Sequence, residues 1–436
     1  MTENKIKPST IAGFMELLPE DQILFNDMMD TIKKNYELHG FVPINTPNIE
    51  WKEVLLAKGG GETAQQIYEI ETEGTEMALR FDLTVPLAKY STLYFSELTF
   101  PFRRYHIGKV YRGERNQRGR FREFYQCDVD IIGNGKLDII NDAEIPSVIY
   151  KTFKDLGFDS FTIKINNRKL LSGFFESLGI NDSTYVLRSI DKLEKIGKDK
   201  VQKELMEQGL TEEDSLKVID FINIKGTNQE IIEQLKELEV DSDLFKQGLN
   251  ELEIVSNYIK EFGVSESNYE IDLTIARGLD YYTGTVYETI LDDYKDVGSV
   301  CSGGRYDDLA SNFTDLKMPG VGISIGLTRL FFQLREAGII KPNTKTLSKA
   351  LIIPMKGCME AGVRTVNMIR SKNIPAQIYV ENDKMGKKFG YADKLQIPYV
   401  VIIGESEIEN NTYSLKNMLT GDQEEVSFDE LIEKIK

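Results

Sequence analysis

The sequence predicts an α+β fold in which an antiparallel sheet is flanked by helices, interrupted by a helical insertion and followed by an α/β unit. Three observations lead to this prediction. Short segments rich in aromatic and β-branched residues occur between residues 76 and 130 and again from Tyr269, as expected for strands. Stretches rich in lysine and glutamate with a helical period separate these two groups. Near the C-terminal end, apolar strand-like segments alternate with helical ones, which favours parallel pairing.

The first elements follow from residue spacing. Residues 21–39 place Phe25, Met28, Ile32 and Tyr36 at helical intervals, and Gly40 marks the end of the helix. A strand-like FVPIN follows, and the segments YHIGKVYR and FREFYQCDVDIIG fit strands of an antiparallel sheet. No β-α-β alternation with a glycine-rich phosphate turn occurs here, which disfavours a dinucleotide-binding fold.

The later elements define the expected domain boundaries. Helical stretches such as KVQKELMEQ predict the insertion, strand-like segments resume at Tyr269, and GVGISIGLTRLFFQL reads as a strand running into a helix. The final residues give KALIIPM, AQIYVE and YVVIIGE as strands, with helices between them. We therefore expect a sheet-based core at 1–167 and 256–335, a helical insertion at 168–255, a linker at 336–348 and an α/β unit at 349–436.

The composition excludes several classes of protein. No apolar run approaches the roughly 18 residues that a membrane span needs, and the polar N-terminal segment lacks the apolar core of a signal peptide. Cys127, Cys301 and Cys358 are odd in number and far apart, so they suggest neither a disulfide framework nor a cysteine zinc site. His39 and His106 are the only histidines, so we expect no metal site built from histidine. The expectation is a reduced, cytoplasmic protein.

The charge distribution has one basic exception. The net charge of −17 argues against a protein that coats nucleic acid by charge alone. Between residues 103 and 122, however, eight Arg and Lys residues stand against one acid, Glu114. Such a run is either a solvated basic face or a site where guanidinium groups hold phosphates through paired hydrogen bonds. The basic residues are Arg103, Arg104, Lys109, Arg112, Arg115, Arg118, Arg120 and Arg122.

The most informative segment is VYRGERNQRGRFREFYQCDVDIIG, from Val110 to Gly133. Two strand-like stretches flank a polar turn, which brings Arg112 and Phe124 close together on paired strands. An arginine there can hold a phosphate, and an aromatic ring offers a stacking face for a base. This hairpin resembles the second signature motif of class II aminoacyl-tRNA synthetases. The resemblance implies that Arg112 holds the α-phosphate of ATP and the substrate carboxylate, that Glu114 contacts the adenine and that Phe124 stacks on it.

A second segment narrows the resemblance. ARGLDYYTGTVYE, from Ala276 to Glu288, is similar to the histidine-specific motif of histidyl-tRNA synthetases. By this match Arg277 is a catalytic arginine at the α-phosphate, and Tyr281 and Tyr282 line the imidazole pocket. A buried arginine that meets growing charge in the transition state gives electrostatic catalysis without proton transfer. Without the surrounding pattern, Arg277 is equally compatible with an ion pair to Asp280.

Three further segments agree in chain order with this family. LRFDLTVPLAKY resembles its amino-acid loop, CSGGRYDDL its second histidine motif and GVGISIGLTRL the third class II motif. These matches imply an ATP γ-phosphate contact for Arg329. They also imply histidine contacts for Asp82, Leu83, Thr84, Gln126, Asp130, Gly303 and Gly304.

Asp130 has a physical reason to lie in a histidine pocket. Reading the two ring nitrogens of histidine needs a fixed acceptor that a similar-sized amide or apolar side chain would not satisfy. We expect Asp130, held by Tyr281 and Tyr282, to be that acceptor. Many family members have Glu at the positions of Asp82 and Asp130, and Asp at both resembles the eukaryotic-like branch. Thr328 stands where Glu is frequent, but the adjacent Arg329 is intact.

The resemblance covers nearly the whole chain and implies a complete reaction. L-histidine and ATP would form an adenylate, Mg²⁺ would bridge the phosphates, and the histidyl group would pass to tRNA(His). The final unit resembles an anticodon-binding domain, and residues Asp21–Pro47 fit the first class II motif, which forms a homodimer interface. The alternative is the histidine-sensing regulatory subunit of ATP phosphoribosyltransferase. That paralogue lacks the anticodon-binding domain and has eroded catalytic arginines, whereas this chain retains both.

Overall fold

A computed structural model describes residues 6–57, 62–72, 74–115, 119–180, 184–190, 193–275 and 282–436. The chain divides into two compact units, one comprising residues 1–15 and 28–339, the other residues 16–27 and 340–436. Within the described ranges, every helix is too short or too polar to cross a membrane.

The helices occur throughout the chain and are densest between residues 168 and 261. In chain order they are α1 (Pro19–Leu38), α2 (Lys52–Leu56), α3 (Glu62–Gln66), α4 (Thr84–Leu93), α5 (Ile140–Asp155), α6 (Arg168–Ser177), α7 (Thr184–Ile190), α8 (Leu193–Ile196), α9 (Lys198–Glu207), α10 (Glu212–Ile222), α11 (Asn228–Glu237), α12 (Asp243–Glu261), α13 (Leu327–Glu336), α14 (Met359–Arg370), α15 (Met385–Lys394), α16 (Glu405–Asn410) and α17 (Phe428–Ile435).

The strands within the described part of the chain form three sheets. In chain order they are β1 (Val42–Pro43), β2 (Ile49–Trp51), β3 (Glu69–Thr72), β4 (Thr75–Leu79), β5 (Phe102–Tyr111), β6 (Glu123–Ile132), β7 (Phe161–Asn167), β8 (Tyr269–Ile271), β9 (Thr285–Leu291), β10 (Ser299–Tyr306), β11 (Gly320–Ile325), β12 (Ala350–Pro354), β13 (Ala376–Ile378), β14 (Tyr399–Ile403), β15 (Tyr413–Asn417) and β16 (Gln423–Val426).

The largest sheet has the strand order β1-β5-β6-β11-β10-β9-β7-β8. Its central pairs are antiparallel, as predicted, and only the edge pairs β1/β5 and β7/β8 are parallel. The predicted hairpin is its longest pair, in register from Phe102 opposite Ile132 to Tyr111 opposite Glu123. The α+β fold class is therefore confirmed.

Among the helices of the sheet-containing unit that the sequence pattern did not predict, α4 and α5 are the longest. Helix α4 buries Val85, Pro86, Leu87 and Ala88 in succession, so it has no apolar stripe on one face. A helix that is apolar on most sides is buried and loses the period that makes helices recognisable in sequence. Helix α5 contains Pro146, which weakens the helical signal further.

The C-terminal sheet has the strand order β13-β12-β14-β15-β16. Strand β12 pairs in parallel with β13 and β14, as the alternation of strands and helices predicted. Strands β15 and β16 add two antiparallel pairs, which the sequence pattern did not predict. Two apolar clusters pack this sheet, one around Val401 and Leu431 and the other around Ile353 and Val400, and both lie entirely within residues 350–435.

Candidate active site

A cavity of about 440 Å³ gathers most of the side chains that the motifs singled out, a size typical of small-molecule sites. The predicted residues that line it are Asp82, Thr84, Arg112, Glu114, Phe124, Gln126, Asp130, Tyr282, Gly303 and Arg329. Leu83 does not line the cavity, and its side chain is fully buried at the start of α4. Gly304 lies beside the lining residue Gly303. Arg277 and Tyr281 lie outside the described residues.

Strand β6 supplies one row of the lining. Successive side chains of a strand alternate between its faces, so Phe124, Gln126, Asp128 and Asp130 project from the same face and all four line the cavity. The intervening residues Cys127, Val129 and Ile131 are fully buried on the opposite face. The alternation in FYQCDVDI therefore separates polar cavity residues from core residues.

Arg112 lies between two aromatic rings just beyond the end of β5. Its guanidinium carbon is 4.3 Å from the centroid of the Phe81 ring and 5.1 Å from that of Phe124, both within the range of cation–π attraction. Its Nε also donates a 3.2 Å hydrogen bond to the Phe81 carbonyl oxygen. These contacts fix the guanidinium group beside an aromatic face, as the hairpin predicted.

Arg118 lies outside the described residues, and the other members of the basic run include both structural and cavity residues. Arg103 donates two hydrogen bonds to Glu144, and Lys109 donates one to Glu123. Arg120 lines the cavity and donates to the Glu114 carboxylate at 3.1 Å. Several of these charged side chains therefore stabilise the fold. Neither of the two interpretations of the basic run, a solvated face or a phosphate-binding site, accounts for all of its residues.

Asp82 is held at the beginning of α4. Its Oδ1 accepts hydrogen bonds from the backbone N–H groups of Thr84 at 3.1 Å and Val85 at 2.9 Å. These donors belong to the first turn of the helix, where N–H groups lack partners within the helix. Burial raises the pKa of Asp82, although these hydrogen bonds and the nearby Arg112 favour its ionised form. The DLT sequence thus presents a carboxylate at a helix N-terminus, next to the cavity.

Asp130 lies at the other end of the β6 row. It accepts a 2.8 Å hydrogen bond from the Tyr306 hydroxyl and is 2.5 Å from Nη2 of Arg104, whose side chain is fully buried. Burial raises the pKa of Asp130 to about 6, while Arg104 acts to lower it. Tyr306 and Arg104 therefore orient this carboxyl group, and neither was given a role by the sequence motifs.

The paired glycines of β10 allow close backbone packing around the cavity. A Cβ atom on Gly303 would lie 2.1 Å from the Gly322 carbonyl oxygen of the neighbouring strand β11. A Cβ atom on Gly304 would lie 2.6 Å from the Thr285 carbonyl oxygen and 3.0 Å from the Tyr282 ring. Only glycine fits at these distances, so the GG pair lets Tyr282 pack directly over the sheet.

Helix α13 contributes Arg329 in its first turn. Nη2 of Arg329 is 3.4 Å from the Val297 carbonyl oxygen, and the side chain lines the cavity. The preceding Thr328 is buried, and its hydroxyl oxygen accepts a 2.8 Å hydrogen bond from the Tyr125 backbone N–H. Thr328 therefore links α13 to β6 through this hydrogen bond. Its short side chain does not line the cavity.

Sequence reasoning overlooked a buried polar layer beneath the cavity. Arg80 donates to the carbonyl oxygens of Thr46 and Lys109, and His106 lies 3.1 Å from Oδ1 of Asn45. Burial and the charges of Arg104 and Arg80 lower the pKa of His106 to about 3. The sequence contains a local indication of this layer. Arg104 and His106 are two positions apart on β5, as Asp128 and Asp130 are on β6, so each pair lies on one face of its strand.

Comparison with known proteins agrees with the predicted motifs. The sequence pattern of the family described as "Histidyl-tRNA synthetase" matches residues 13–330, and that of "Anticodon binding domain" matches residues 349–436. A protein of Clostridium tetani named histidine--tRNA ligase is 62% identical over 437 residues, covering all of both chains.

Solved structures of other proteins have the same fold as this chain. The crystal structure of histidyl-tRNA synthetase from Nostoc sp. PCC 7120 is 42% identical, has a TM-score of 0.91 and covers 99% of each chain. A Bacillus halodurans structure described as an ATP phosphoribosyltransferase regulatory subunit/histidyl-tRNA synthetase shares the fold at 20% identity, with a TM-score of 0.76. It covers 91% of this chain and 99% of its own.

The full-length relatives and the C-terminal match favour the ligase over the regulatory subunit. The matched families together span almost all of the sequence, in the order that the motifs predicted. The chain belongs to the histidyl-tRNA synthetase family of histidine--tRNA ligases.

Proposed function

We propose that the cavity activates L-histidine with ATP and then transfers the histidyl group to tRNA(His). An oxygen of the histidine carboxylate attacks the α-phosphorus of ATP, the bond to the bridging oxygen breaks, and pyrophosphate leaves. A ribose hydroxyl of the tRNA then attacks the acyl carbon, and AMP leaves. The observation that supports this proposal is that one cavity contains both an arginine–aromatic pair and a row of buried carboxyl groups.

The arginines supply the electrostatic part of the reaction. Negative charge spreads over the phosphate oxygens as pyrophosphate leaves, and fixed cations stabilise that charge. Arg112 is held beside Phe124, where adenine would stack, so its guanidinium group suits the α-phosphate. Arg329 suits the γ-phosphate, and the family motif gives Arg277 a second contact with the α-phosphate.

The carboxyl groups select the amino acid. Asp82 and Thr84 line the cavity at the N-terminus of α4 and would receive the α-ammonium group, while Gln126 of β6 would make a further contact with the amino acid. Asp130, held by Tyr306 and Arg104, is the acceptor for one ring nitrogen. Tyr282 packs over Gly304 and would form a wall of the ring pocket. Leu83 and Gly304 would contribute through their backbone.

The lining also fits a magnesium ion brought by ATP. The described residues form no cluster of three or more metal-ligating side chains. Mg²⁺ is commonly held by substrate phosphates, water and one or two carboxylates. Glu288 also lines the cavity and has no part in the histidine or adenine contacts, so its carboxylate would complete such a shell. When bound, the ion would neutralise charge on the leaving phosphates.

Histidine-dependent exchange of pyrophosphate into ATP tests this proposal. We expect exchange with histidine and none with the other amino acids, because activation is reversible and the pocket is specific for the ring. Histidine binding without exchange would contradict the proposal and would support a regulatory, histidine-sensing role.

We also propose that the chain forms a homodimer through the region of the first class II motif. Four large apolar side chains between residues 38 and 51 are about half exposed or more: Leu38 at 69%, Val42 at 50%, Ile49 at 45% and Trp51 at 55%. Strand β1, which contains Val42, is also at the edge of the large sheet. Exposed apolar surface next to an open strand edge is typical of an interaction site.

We expect Val42→Glu to convert the dimer into a monomer, because burying an unpaired carboxylate in an apolar interface is costly. Light scattering at micromolar concentration should give twice the 49.7 kDa chain mass for the wild type and a single chain mass for the variant. Trp51 is the only tryptophan, so its emission should shift to longer wavelength in the variant.

Leu93→Glu is a matched control, since Leu93 is 63% exposed and lies outside that region. This control should remain dimeric. A wild-type mass equal to one chain would contradict the dimer proposal.

The cytoplasm is the proposed compartment. Cys127, Cys301 and Cys358 are buried free thiols, which persist most readily in a reducing environment. Protein synthesis, the process that consumes aminoacyl-tRNA, also takes place there.

A further inference from the structure

Asp128 lies in the middle of the cavity lining but belongs to none of the roles that the family motifs assign. Its side chain is 2% exposed and projects from β6 between Gln126 and Asp130. On the neighbouring strands it stands opposite His106 of β5 and Ser324 of β11. Strands on both sides therefore fix this carboxyl group in the lining.

The polar contacts of Asp128 are incomplete within the described part of the protein. Ser324 forms a hydrogen bond with Asp128 and also accepts a 2.7 Å hydrogen bond from Nε2 of Gln126. Oδ1 of Asp128 is buried, and among the described residues it has no hydrogen-bond partner. A buried carboxyl oxygen without a partner is costly, so its position in a ligand cavity indicates that a ligand supplies the partner.

Asp128 titrates close to neutral pH. Burial raises its pKa to about 7, Arg104 acts to lower that pKa, and the charges of Asp130 and Asp82 act to raise it. Asp130 has a pKa of about 6, so it loses its proton first.

The other titratable groups around Asp128 keep one charge state between pH 7 and 8.5. Arg80 remains cationic, since arginine stays protonated in this range. His106 is neutral because its pKa is about 3. Burial raises the pKa values of Cys127, Cys301 and Tyr36, which keeps these groups neutral.

We propose that Asp128 is a second carboxyl group that recognises the imidazole ring of histidine, and that it shares one proton with Asp130 in the complex. This inference rests on the proposed function. The two residues are two positions apart on one face of β6, which separates their Cα atoms by roughly 6.6 Å at a rise of about 3.3 Å per residue. That spacing allows the two carboxyl groups to approach the two ring nitrogens from different sides.

The hydrogen-bonding capacity of the ring explains the need for the shared proton. A neutral imidazole has one N–H donor and one acceptor nitrogen, whereas an ionised carboxylate can only accept. Asp130 accepts from the N–H, and a protonated Asp128 donates to the other nitrogen. The same number of protons also suits an imidazolium ring between two ionised carboxylates, so either distribution satisfies both nitrogens.

This arrangement predicts that histidine binding takes up a proton above neutral pH. At pH 8 the empty site has lost the Asp128 proton and the ring of free histidine is neutral, so the complex must gain one. The dissociation constant should therefore rise with pH, approaching roughly tenfold per pH unit between pH 7 and 8.5. Loss of the α-ammonium proton affects every variant equally and cancels in their comparison.

Titration calorimetry on the full chain measures this directly. Histidine binding at pH 8 in buffers of different ionisation enthalpy should show about one proton taken up by the wild type. Asp128→Asn should take up close to none and should have a dissociation constant that changes little from pH 7 to 8.5. The reason is that an asparagine amide donates permanently. Asp128→Ala should bind histidine more weakly throughout this range.

The controls separate recognition from structure. Asp159→Asn removes a carboxylate whose side chain is 93% exposed, and it should keep the wild-type proton count. ATP binding and thermal melting report whether the Asp128 variants are folded. Wild-type binding without proton uptake overturns this inference even if no variant folds, and so does equal uptake by wild type and Asp128→Asn. Absence of histidine binding by the wild type would remove the proposed function as well.

Discussion

Arg112→Ala should lower the rate of histidine-dependent pyrophosphate exchange by about 10²–10³-fold, the usual effect of removing one donor that stabilises transition-state charge. The guanidinium group of Arg112 is fixed between the Phe81 and Phe124 rings and lines the cavity. Its loss removes a cation from the place where phosphate charge would grow. The measurement is kcat/KM for exchange, with separate KM values for ATP and histidine.

Lys109→Ala is the matched control, because it also removes one positive charge near the end of β5. Lys109 does not line the cavity and is ion-paired with Glu123, so this variant should exchange at close to the wild-type rate. Arg277→Ala and Arg277→His should lose activation as Arg112→Ala does, on the strength of the motif alone. Near-normal exchange by Arg112→Ala would refute the role given to this arginine.

Removing residues 341–436 should leave adenylate formation largely intact but abolish efficient charging of tRNA. None of the predicted ATP or histidine residues lies in the removed segment, which has its own apolar clusters and matches the anticodon-binding family. Losing about 3–4 kcal/mol of tRNA binding corresponds to roughly 10²–10³-fold in kcat/KM for aminoacylation. Pyrophosphate exchange and aminoacylation should be measured side by side on the shortened chain.

The comparison between the two activities decides the outcome. Equal loss of both would mean that the C-terminal unit supports the fold of the active site. Equal retention of both would mean that this unit does not contribute to tRNA recognition. In the family the acceptor end of the tRNA, with its extra 5′ guanosine, is recognised near the second motif, so weak residual charging is compatible with the proposal.

Local sequence determined the parts of this protein that depend on short-range patterns. The alternation of side chains predicted strand β6. It also separated Gln126 and Asp130, on the cavity face, from Cys127 and Val129, on the core face. The hairpin placed Arg112 beside Phe124, and the order of the motifs identified the family. These features depend on a strand period of two and on neighbours close in the chain, which is why they could be predicted.

Only the tertiary structure decided which distant residues complete the site. Asp130 meets Tyr306 because β11 lies between β6 and β10, and it meets Arg104 because β5 is on the other side. Strand order and register are set by packing over the whole sheet, and a shift of one residue would turn each of these side chains to the opposite face. For the same reason, sequence alone could not separate the structural Arg103 from the cavity residue Arg120, or show that a buried oxygen of the cavity residue Asp128 has no hydrogen-bond partner among the described residues.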